Sequence, residues 1–205
     1  MADKLAIYKE ALRHLGNTAR LSGLTEVSPA RYALDDAWDG AVEYLLARGL
    51  WNFAMRSVEI SADEDAEPLF GFTYAFSKPD DWVRTASISD QGPIGEGYED
   101  YSDEPGYWYA NVTPLYVSYV SNDDEYGLNI ASWRQPFAKA LAAYLAFNCG
   151  LPISADRGNR NDMFQLFTRL LKEAKTLDAV DERVRREPEG RLVKARTQRR
   201  SRRNG

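Results

Sequence analysis

The sequence has few of the residues on which several classes of chemistry depend. Among its 205 residues there is one cysteine, Cys149, and one histidine, His14. A single cysteine excludes an internal disulfide and a cysteine-built zinc site, and a single histidine excludes a histidine-based metal cluster. A catalytic triad would have to rely on His14 alone. We interpret His14, which lies in a helical pattern beside Arg13, as an exposed helix residue.

The sequence also lacks a long hydrophobic run and the common phosphate and hydrolase motifs. No apolar stretch approaches the roughly 18 residues that span a bilayer, and residues 1–4 lack the apolar centre of a signal peptide. The motifs GxGxxG, GxxxxGKS/T, HExxH and GxSxG are absent. We therefore expect a protein that is made and kept in a cytoplasm, has no membrane contact, cofactor or metal, and is not an enzyme.

Charge is distributed unevenly along the chain. Residues 183–205 contain ten lysines and arginines against two glutamates, a net charge of +8, whereas residues 1–182 carry −13. Such asymmetry indicates that the basic segment has a partner of its own. Three interpretations are open: docking onto an acidic protein, binding DNA phosphates without sequence specificity, and a solvated tail without function. The basic residues are Arg183, Arg185, Arg186, Arg191, Lys194, Arg196, Arg199, Arg200, Arg202 and Arg203.

The pattern of apolar residues predicts helices at both ends of the chain. Apolar residues recur three and four positions apart, which is the period of an amphipathic helix. Helices are predicted over residues 3–16, 29–48, 134–149 and 161–182. Ser28 followed by Pro29 is a strong start for the second helix. The Gly-Leu-Pro sequence at residues 150–152 is expected to break the third.

Between the helices the period of the pattern changes to two. Alternating apolar residues from 54 to 120 predict short strands joined by short turns, which favours an antiparallel meander over βαβ units. We therefore predict an α+β fold in which a helical bundle, built from both ends of the chain, packs against this β insertion. One domain spans residues 1–182, and residues 183–205 form an extended basic C-terminal arm.

Large aromatic residues are the candidate anchors of this fold. Trp51 and Phe53 follow the second helix at alternate positions, which places both rings on one face of an extended segment. Core positions are assigned to Trp38, Trp51, Phe53, Phe72 and Trp82. A second aromatic group lies near a loop-rich tip, where it either fills the core of the sheet or forms an interface with another protein. That group is Tyr98, Tyr101, Tyr107, Trp108 and Tyr109.

The order and spacing of several motifs resemble a known family. The motifs are Gly-Leu-Trp-Asn-Phe-Ala at 49–54, Phe-Gly-Phe at 70–72, Phe-Ser-Lys-Pro-Asp-Asp-Trp-Val-Arg at 76–84, Gly-Tyr-Trp-Tyr at 106–109 and Tyr-Val-Ser-Tyr-Val at 116–120. Together they resemble the head-to-tail adaptor family of short-tailed bacteriophages, also called tail tubular protein A. The resemblance covers most of residues 1–180, and its motifs are structural rather than catalytic.

The resemblance implies a structural protein of a virion, without a catalytic site. Members of the family form a dodecameric ring between the portal of a DNA-filled capsid and the tail nozzle. The partners it implies for this chain are copies of itself, the portal, the nozzle, and double-stranded DNA that passes through the lumen without specific binding. The helical part would build the ring wall, and the basic arm would reach the portal. The protein would assemble in a bacterial cytoplasm and reside at the head-to-tail junction.

Two alternatives to a structural role stay open. Some members of this broad group are described as attacking cell walls, which needs two carboxyl groups about 5–10 Å apart, one with a raised pKa. The densest carboxylates are Asp63, Glu64, Asp65, Glu67, Glu99, Asp100, Asp103 and Glu104, and crowded loop carboxylates are more often a solvated face. The other alternative is a DNA-binding packaging accessory, although no helix-turn-helix or basic recognition helix is visible.

Overall fold

Four helices and six strands are present in the computed structural model, which describes residues 2–16, 21–69, 71–92, 97–154 and 158–181. The helices are α1 (Lys4–His14), α2 (Pro29–Ala47), α3 (Gln135–Ser154) and α4 (Gly158–Asp181). The strands are β1 (Met55–Ile60), β2 (Tyr74–Ser77), β3 (Trp82–Ser89), β4 (Tyr101–Glu104), β5 (Tyr107–Ala110) and β6 (Leu115–Ser121). Helices flank the strands along the chain, and the predicted α+β class is confirmed.

The helical layer is built around α3. α1, α2 and α4 each contact this helix, so the two ends of the chain pack together as predicted. Small side chains on α3 let the neighbouring helices approach closely. The buried small residues are Ala138, Ala140, Ala142, Ala143 and Ala146.

Two helix boundaries, the end of α3 and the start of α4, differ from the predicted ones by more than two residues. Pro136 lies in the first turn of α3, where the missing N–H would have no partner within the helix. At the other end α3 continues through residues 150–152 to Ser154, so the predicted break there is wrong. α4 begins at Gly158 rather than at residue 161. Tertiary contacts override a local Gly-Pro signal here, because three other helices hold α3 in place.

The strands form two three-stranded antiparallel sheets, with the orders β1-β6-β3 and β2-β5-β4. Antiparallel pairing agrees with the prediction, but a meander would pair β1 with the strand that follows it. Instead β1 pairs with β6, and Val58 lies opposite Val117. The two sheets share a second core that includes Phe76, Ile88, Trp108, Leu115, Val117 and Tyr119. The β insertion is therefore a small sandwich.

The segment between α2 and β1 joins the helical layer to the first sheet. Trp51 is 1% exposed, and its indole N–H donates to the carbonyl of Leu45 at 2.8 Å. Gly49 makes room for this ring, because a Cβ atom at Gly49 would lie 2.7 Å from it. Trp51 and Phe53 both meet Phe137 edge-on, with ring centroids 4.9 Å apart in each pair. The end of α2, this segment and α3 therefore share one core.

Four of the five residues assigned to the core lie in or against it. Trp38 and Trp51 are buried in the helical core, and Phe53 is half-buried against the same core. Trp82 is half-buried against the core of the sandwich. The two cores therefore each contain aromatic anchors from the sequence-based assignment.

The assignment of Phe72 to the core is wrong. Phe72 is half-buried and belongs to neither core, and its ring centroid lies 6.4 Å from that of Tyr109. The fully buried ring of this region is Phe76. The physical reason is that β2 begins only at Tyr74, so the alternation does not extend back to Phe72.

Candidate functional site and interaction surfaces

The basic arm lies outside the described residues, and so do all ten side chains predicted to bind a portal, from Arg183 to Arg203. Docking onto a portal stays a prediction, as do the two other interpretations of the arm. The surfaces that can be described belong to the body of the protein.

The five aromatic residues predicted at an interface do not form one exposed patch. Trp108 is completely buried in the core of the sandwich, so for this residue the core alternative is correct and the assignment to an interface is wrong. Tyr98 and Tyr101 are half-buried and pack against the same core. Side chains alternate along β5, so Tyr107 and Tyr109 lie on the opposite face from Trp108, with ring centroids 6.0 Å apart. Only this outer pair is placed to contact another protein.

Lys78 is a nearly buried cation, with a side chain 5% exposed. Its ammonium group lies 3.7 Å from the ring centroid of Trp82 and 5.3 Å from that of Trp108. It also pairs with the carboxylate of Asp103 at 2.5 Å. Thr85 completes the network, because its hydroxyl donates to Asp103 at 2.6 Å and accepts from both indoles, at 3.1 and 3.0 Å. The two sheets are therefore joined by a charged network inside an aromatic cage.

The carboxylate of Asp81 holds the start of β3 against β1 and β6. It accepts hydrogen bonds from Arg56 at 2.8 Å, from the Tyr119 hydroxyl at 3.0 Å and from the Ser121 hydroxyl. Burial raises the pKa of Asp81, but these three donors outweigh burial and hold that pKa below its ordinary value. Burial and the Asp81 carboxylate also raise the pKa of Tyr119. Asp81 is therefore an anionic structural centre.

Sequence reasoning missed both charged networks. The Lys-Pro-Asp-Asp sequence at residues 78–81 is typical of a turn, and it carries both Lys78 and Asp81. The one available signal was that a turn so rich in charge lies inside an aromatic motif. Charged groups beside buried rings need partners, and these partners come from strands distant along the chain.

Two of the candidate carboxylates of a hydrolase, Asp63 and Asp103, have a pKa shifted in the wrong direction for a general acid. Asp63 accepts hydrogen bonds from the Ser77 hydroxyl and from the Asp65 N–H, and these lower its pKa. For Asp103, burial raises the pKa, but hydrogen bonds from Lys78 and Thr85 outweigh burial and lower it. A general acid in glycoside hydrolysis needs a raised pKa. Both carboxylates instead serve the fold.

Cys149 does not have the surroundings of a nucleophile, and His14 is not exposed as predicted. His14 is half-buried rather than exposed, and burial lowers its pKa. Cys149 is buried with its thiol 3.3 Å from the carbonyl of Ala33, and burial raises the pKa of that thiol to about 11, which disfavours the reactive thiolate. The described part of the chain contains no group of three or more His, Cys, Asp and Glu side chains placed to hold a metal ion.

A pocket of about 330 Å³ lies where the start of α3 and the end of α4 meet Trp51. Asp178 lies in its wall, but its carboxylate already accepts the Asn52 backbone N–H at 3.0 Å. The remaining lining is mostly apolar, although it includes the polar side chains of Arg134 and Gln135; its other residues are Trp51, Pro136, Phe137, Ala174 and Leu177. A lining of this kind suits an apolar side chain of a partner better than a substrate that needs acid–base chemistry.

α4 exposes most of its described side chains and buries a narrow stripe. The residues that it buries form one stripe: Met163, Phe167, Ala174 and Asp178. Large apolar side chains lie outside that stripe, with Phe164 47%, Leu177 45% and Val180 75% exposed. Exposed apolar side chains of this size on one helix are typical of a surface that another protein covers.

Comparison with known protein families and curated sequences does not assign this chain to a family. The chain matches no protein-family model and no curated protein sequence. Of the helices in the described ranges, none combines the length and apolar character needed to cross a membrane. The fold defines a mixed α+β protein, and its most conspicuous features are structural networks and exposed helix faces.

Proposed function

We propose that this protein is a structural head-to-tail adaptor of a bacteriophage virion, which forms a ring between the portal and the tail nozzle. The observation that carries the proposal is the location of the motifs that resemble the adaptor family. Residues 49–54 join the helical layer to the first sheet, and residues 76–84 supply Lys78 and Asp81 to the charged networks of the sandwich. Motifs that hold a fold together are what a structural family would share.

Charge also supports an adaptor through which DNA passes. Residues 1–182 carry a net charge of −13. An acidic wall repels phosphates and offers few cationic contacts to hold them, so DNA would move through the ring without being bound. The basic arm of residues 183–205 would then serve attachment. Many arms held at high effective concentration by one ring would bind a portal jointly, even if each arm bound weakly.

The proposal is tested with capsids that carry a portal but lack this protein. Purified protein is added, unbound protein is removed by sedimentation, and the portal vertex is imaged by electron microscopy. We expect an additional ring at that vertex. A protein that never joins the vertex, while remaining folded by circular dichroism, would contradict the proposal.

A peptidoglycan hydrolase remains the second candidate, on the strength of the two carboxylate-rich stretches alone. The lowered pKa values of Asp63 and Asp103 argue against a hydrolase. A zymogram on peptidoglycan tests the hydrolase function. A clearing band that disappears in Glu64→Gln or Glu99→Gln would establish that function and contradict the structural proposal. For a DNA-binding packaging accessory, we expect retention of the full chain on double-stranded DNA at physiological salt, which the adaptor proposal does not predict.

A further inference from the structure

α2 carries three exposed carboxylates that have no ion-pair partner in the described part of the chain. Asp36, Asp39 and Glu43 recur at helical spacing on one face of the helix, and we call them the acidic stripe. Among the described residues, none of the three has a lysine or arginine within 4.0 Å. Their neighbour Asp35 differs, because it pairs with both Lys4 and Arg31. Within the described residues, the negative charge of the acidic stripe is therefore not neutralised by an ion pair.

The opposite charge accumulates where α4 passes the end of α2. We define the basic face as Arg48, Arg84, Arg169, Lys172 and Lys175, which are all exposed. The Arg84 guanidinium lies 3.5 Å from the carbonyl of Ala47, next to Arg48. Burial and the positive charges of Arg84 and Arg48 lower the pKa of Lys175, so three cations from three elements converge. Glu173 and Asp162, the exposed acids on α4, are within ion-pair distance of none of the five.

The acidic stripe and the basic face point in different directions. α2 approaches α4 through Tyr44, whose ring centroid lies 6.3 Å from that of Phe167. At about 100° per residue, the three acids lie roughly a third of a turn around α2 from Tyr44. The stripe therefore lies to one side of the face of α2 that meets α4, and none of its carboxylates is within 4.0 Å of a cation of the basic face. It is free to meet the basic face of another.

We propose that the acidic stripe of one copy of this chain binds the basic face of the next copy. The inference rests on the proposed function only for its biological setting, a ring. Because the two surfaces differ, the contact is head-to-tail, and each added copy presents one free surface of each kind until the ring closes. Charge complementarity would select the partner and the orientation. Exposed Phe164, Leu177 and Val180, on the same helix as most of the basic face, would supply apolar area to cover.

The first experiment reverses each surface separately. One variant carries Asp36→Lys, Asp39→Lys and Glu43→Lys, and the other carries Arg169→Glu, Lys172→Glu and Lys175→Glu. Sedimentation at low salt and high protein concentration should show oligomers of the unaltered chain. In each variant alone, the dissociation constant of self-association should rise by about tenfold or more. An equimolar mixture should regain oligomers, because the reversed stripe of one variant then meets the reversed face of the other.

The matched control applies the same change in charge to another exposed acidic stretch. Glu64→Lys, Asp65→Lys and Glu67→Lys alter the loop after β1, and this variant should associate like the unaltered chain. Circular dichroism checks that every variant folds. The inference is overturned if the unaltered chain stays monomeric throughout, if the mixture fails to associate, or if the control loses association to the same extent.

A second experiment identifies the contact directly. A carbodiimide joins a lysine amine to a carboxylate that it touches, so it is applied to an equal mixture of unlabelled and ¹⁵N-labelled chains. Mass spectrometry should find mixed-isotope crosslinks that join Lys172 or Lys175 to the acidic stripe. Crosslinks between chains that avoid α2 altogether would contradict the inference.

The inference and the adaptor proposal can fail separately. If the charge-reversed variants still form complete rings at a portal vertex, the contact is wrong and the adaptor role stands. If the mixed variants associate but the unaltered protein never joins a capsid, the contact stands and the adaptor role fails.

Discussion

Asn52 and Asp178, which are 126 residues apart in the chain, are joined by two hydrogen bonds. The backbone N–H of Asn52 donates to the Asp178 carboxylate at 3.0 Å, and the Asn52 side-chain amide donates to the Asp178 carbonyl at 2.7 Å. The pair holds the end of α4 against the segment that leads from α2 into β1. These bonds thereby fix the position of the C-terminal end of α4, which precedes the basic arm in the sequence.

Replacing Asp178 by alanine should destabilise the protein by about 1–3 kcal/mol, because it removes a buried carboxylate and leaves the half-buried Asn52 N–H without its acceptor. The free energy of unfolding in urea measures the effect. Asp162→Ala, at an exposed position of the same helix, is the control and should change stability little. An Asp178→Ala protein as stable as the original would show that the bonds only accompany the packing of α4.

Two glycine substitutions should have opposite effects. Gly49→Ala places a methyl group 2.7 Å from the Trp51 ring, so it should cost about 1–3 kcal/mol and shift the tryptophan fluorescence. Gly40→Ala meets nothing within 4 Å in α2, so it should stabilise the protein by about 0.5–1 kcal/mol. Thermal unfolding of both variants measures the contrast. Equal effects would mean that the Trp51 ring does not depend on Gly49.

Stability should fall in acid, in part through Asp81. The pKa of Asp81 in the folded protein lies below the ordinary value, so as the pH falls this carboxylate is protonated first in the unfolded chain. The free energy of unfolding therefore rises with pH between the folded and the unfolded pKa. The contribution is complete above about pH 5 and is lost as the pH falls below about 4, through the folded pKa. Unfolding of the original protein and of Asp81→Asn from pH 3 to 7 measures it.

The Asp81→Asn variant should be less stable by about 2 kcal/mol at neutral pH and should show a shallower acid transition. Asp80→Asn, at the exposed neighbouring position, is the matched control. Parallel pH profiles for the original protein and Asp81→Asn would contradict the role given to this carboxylate.

Truncation after Arg186 should leave the body folded but abolish attachment to portal-bearing capsids. It removes the seven basic residues that follow Arg186, whereas the described core ends at Asp181. Co-sedimentation with capsids measures attachment, and the thermal midpoint measures folding. A full-length variant with each of the six arginines after Arg186 replaced by lysine should still attach if charge drives docking. Normal attachment of the truncated chain would refute portal docking by the arm.

Local patterns predicted the elements because helix and strand periods depend on neighbouring residues. Alternation along β5 was visible, yet it could not say which face was buried, and Trp108 was therefore placed at an interface in error. The pairing of Val58 with Val117 was equally invisible, because the register of distant strands depends on what each face packs against. The roles of nearly buried Lys78 and half-buried Asp81 could not be predicted for the same reason, because their partners lie on distant strands.

The amino-acid sequence alone determined the two helical ends, the β insertion, the anchoring role of Trp51 and the separation of an acidic body from a basic arm. These follow from hydrophobic period, side-chain size and charge, which are properties of short stretches. Tertiary structure alone decided the strand order, the passage of α3 through residues 150–152, the partners of Asp81 and the different directions of the acidic stripe and the basic face. Each of these depends on contacts between segments distant in the chain, which form only when both cores close.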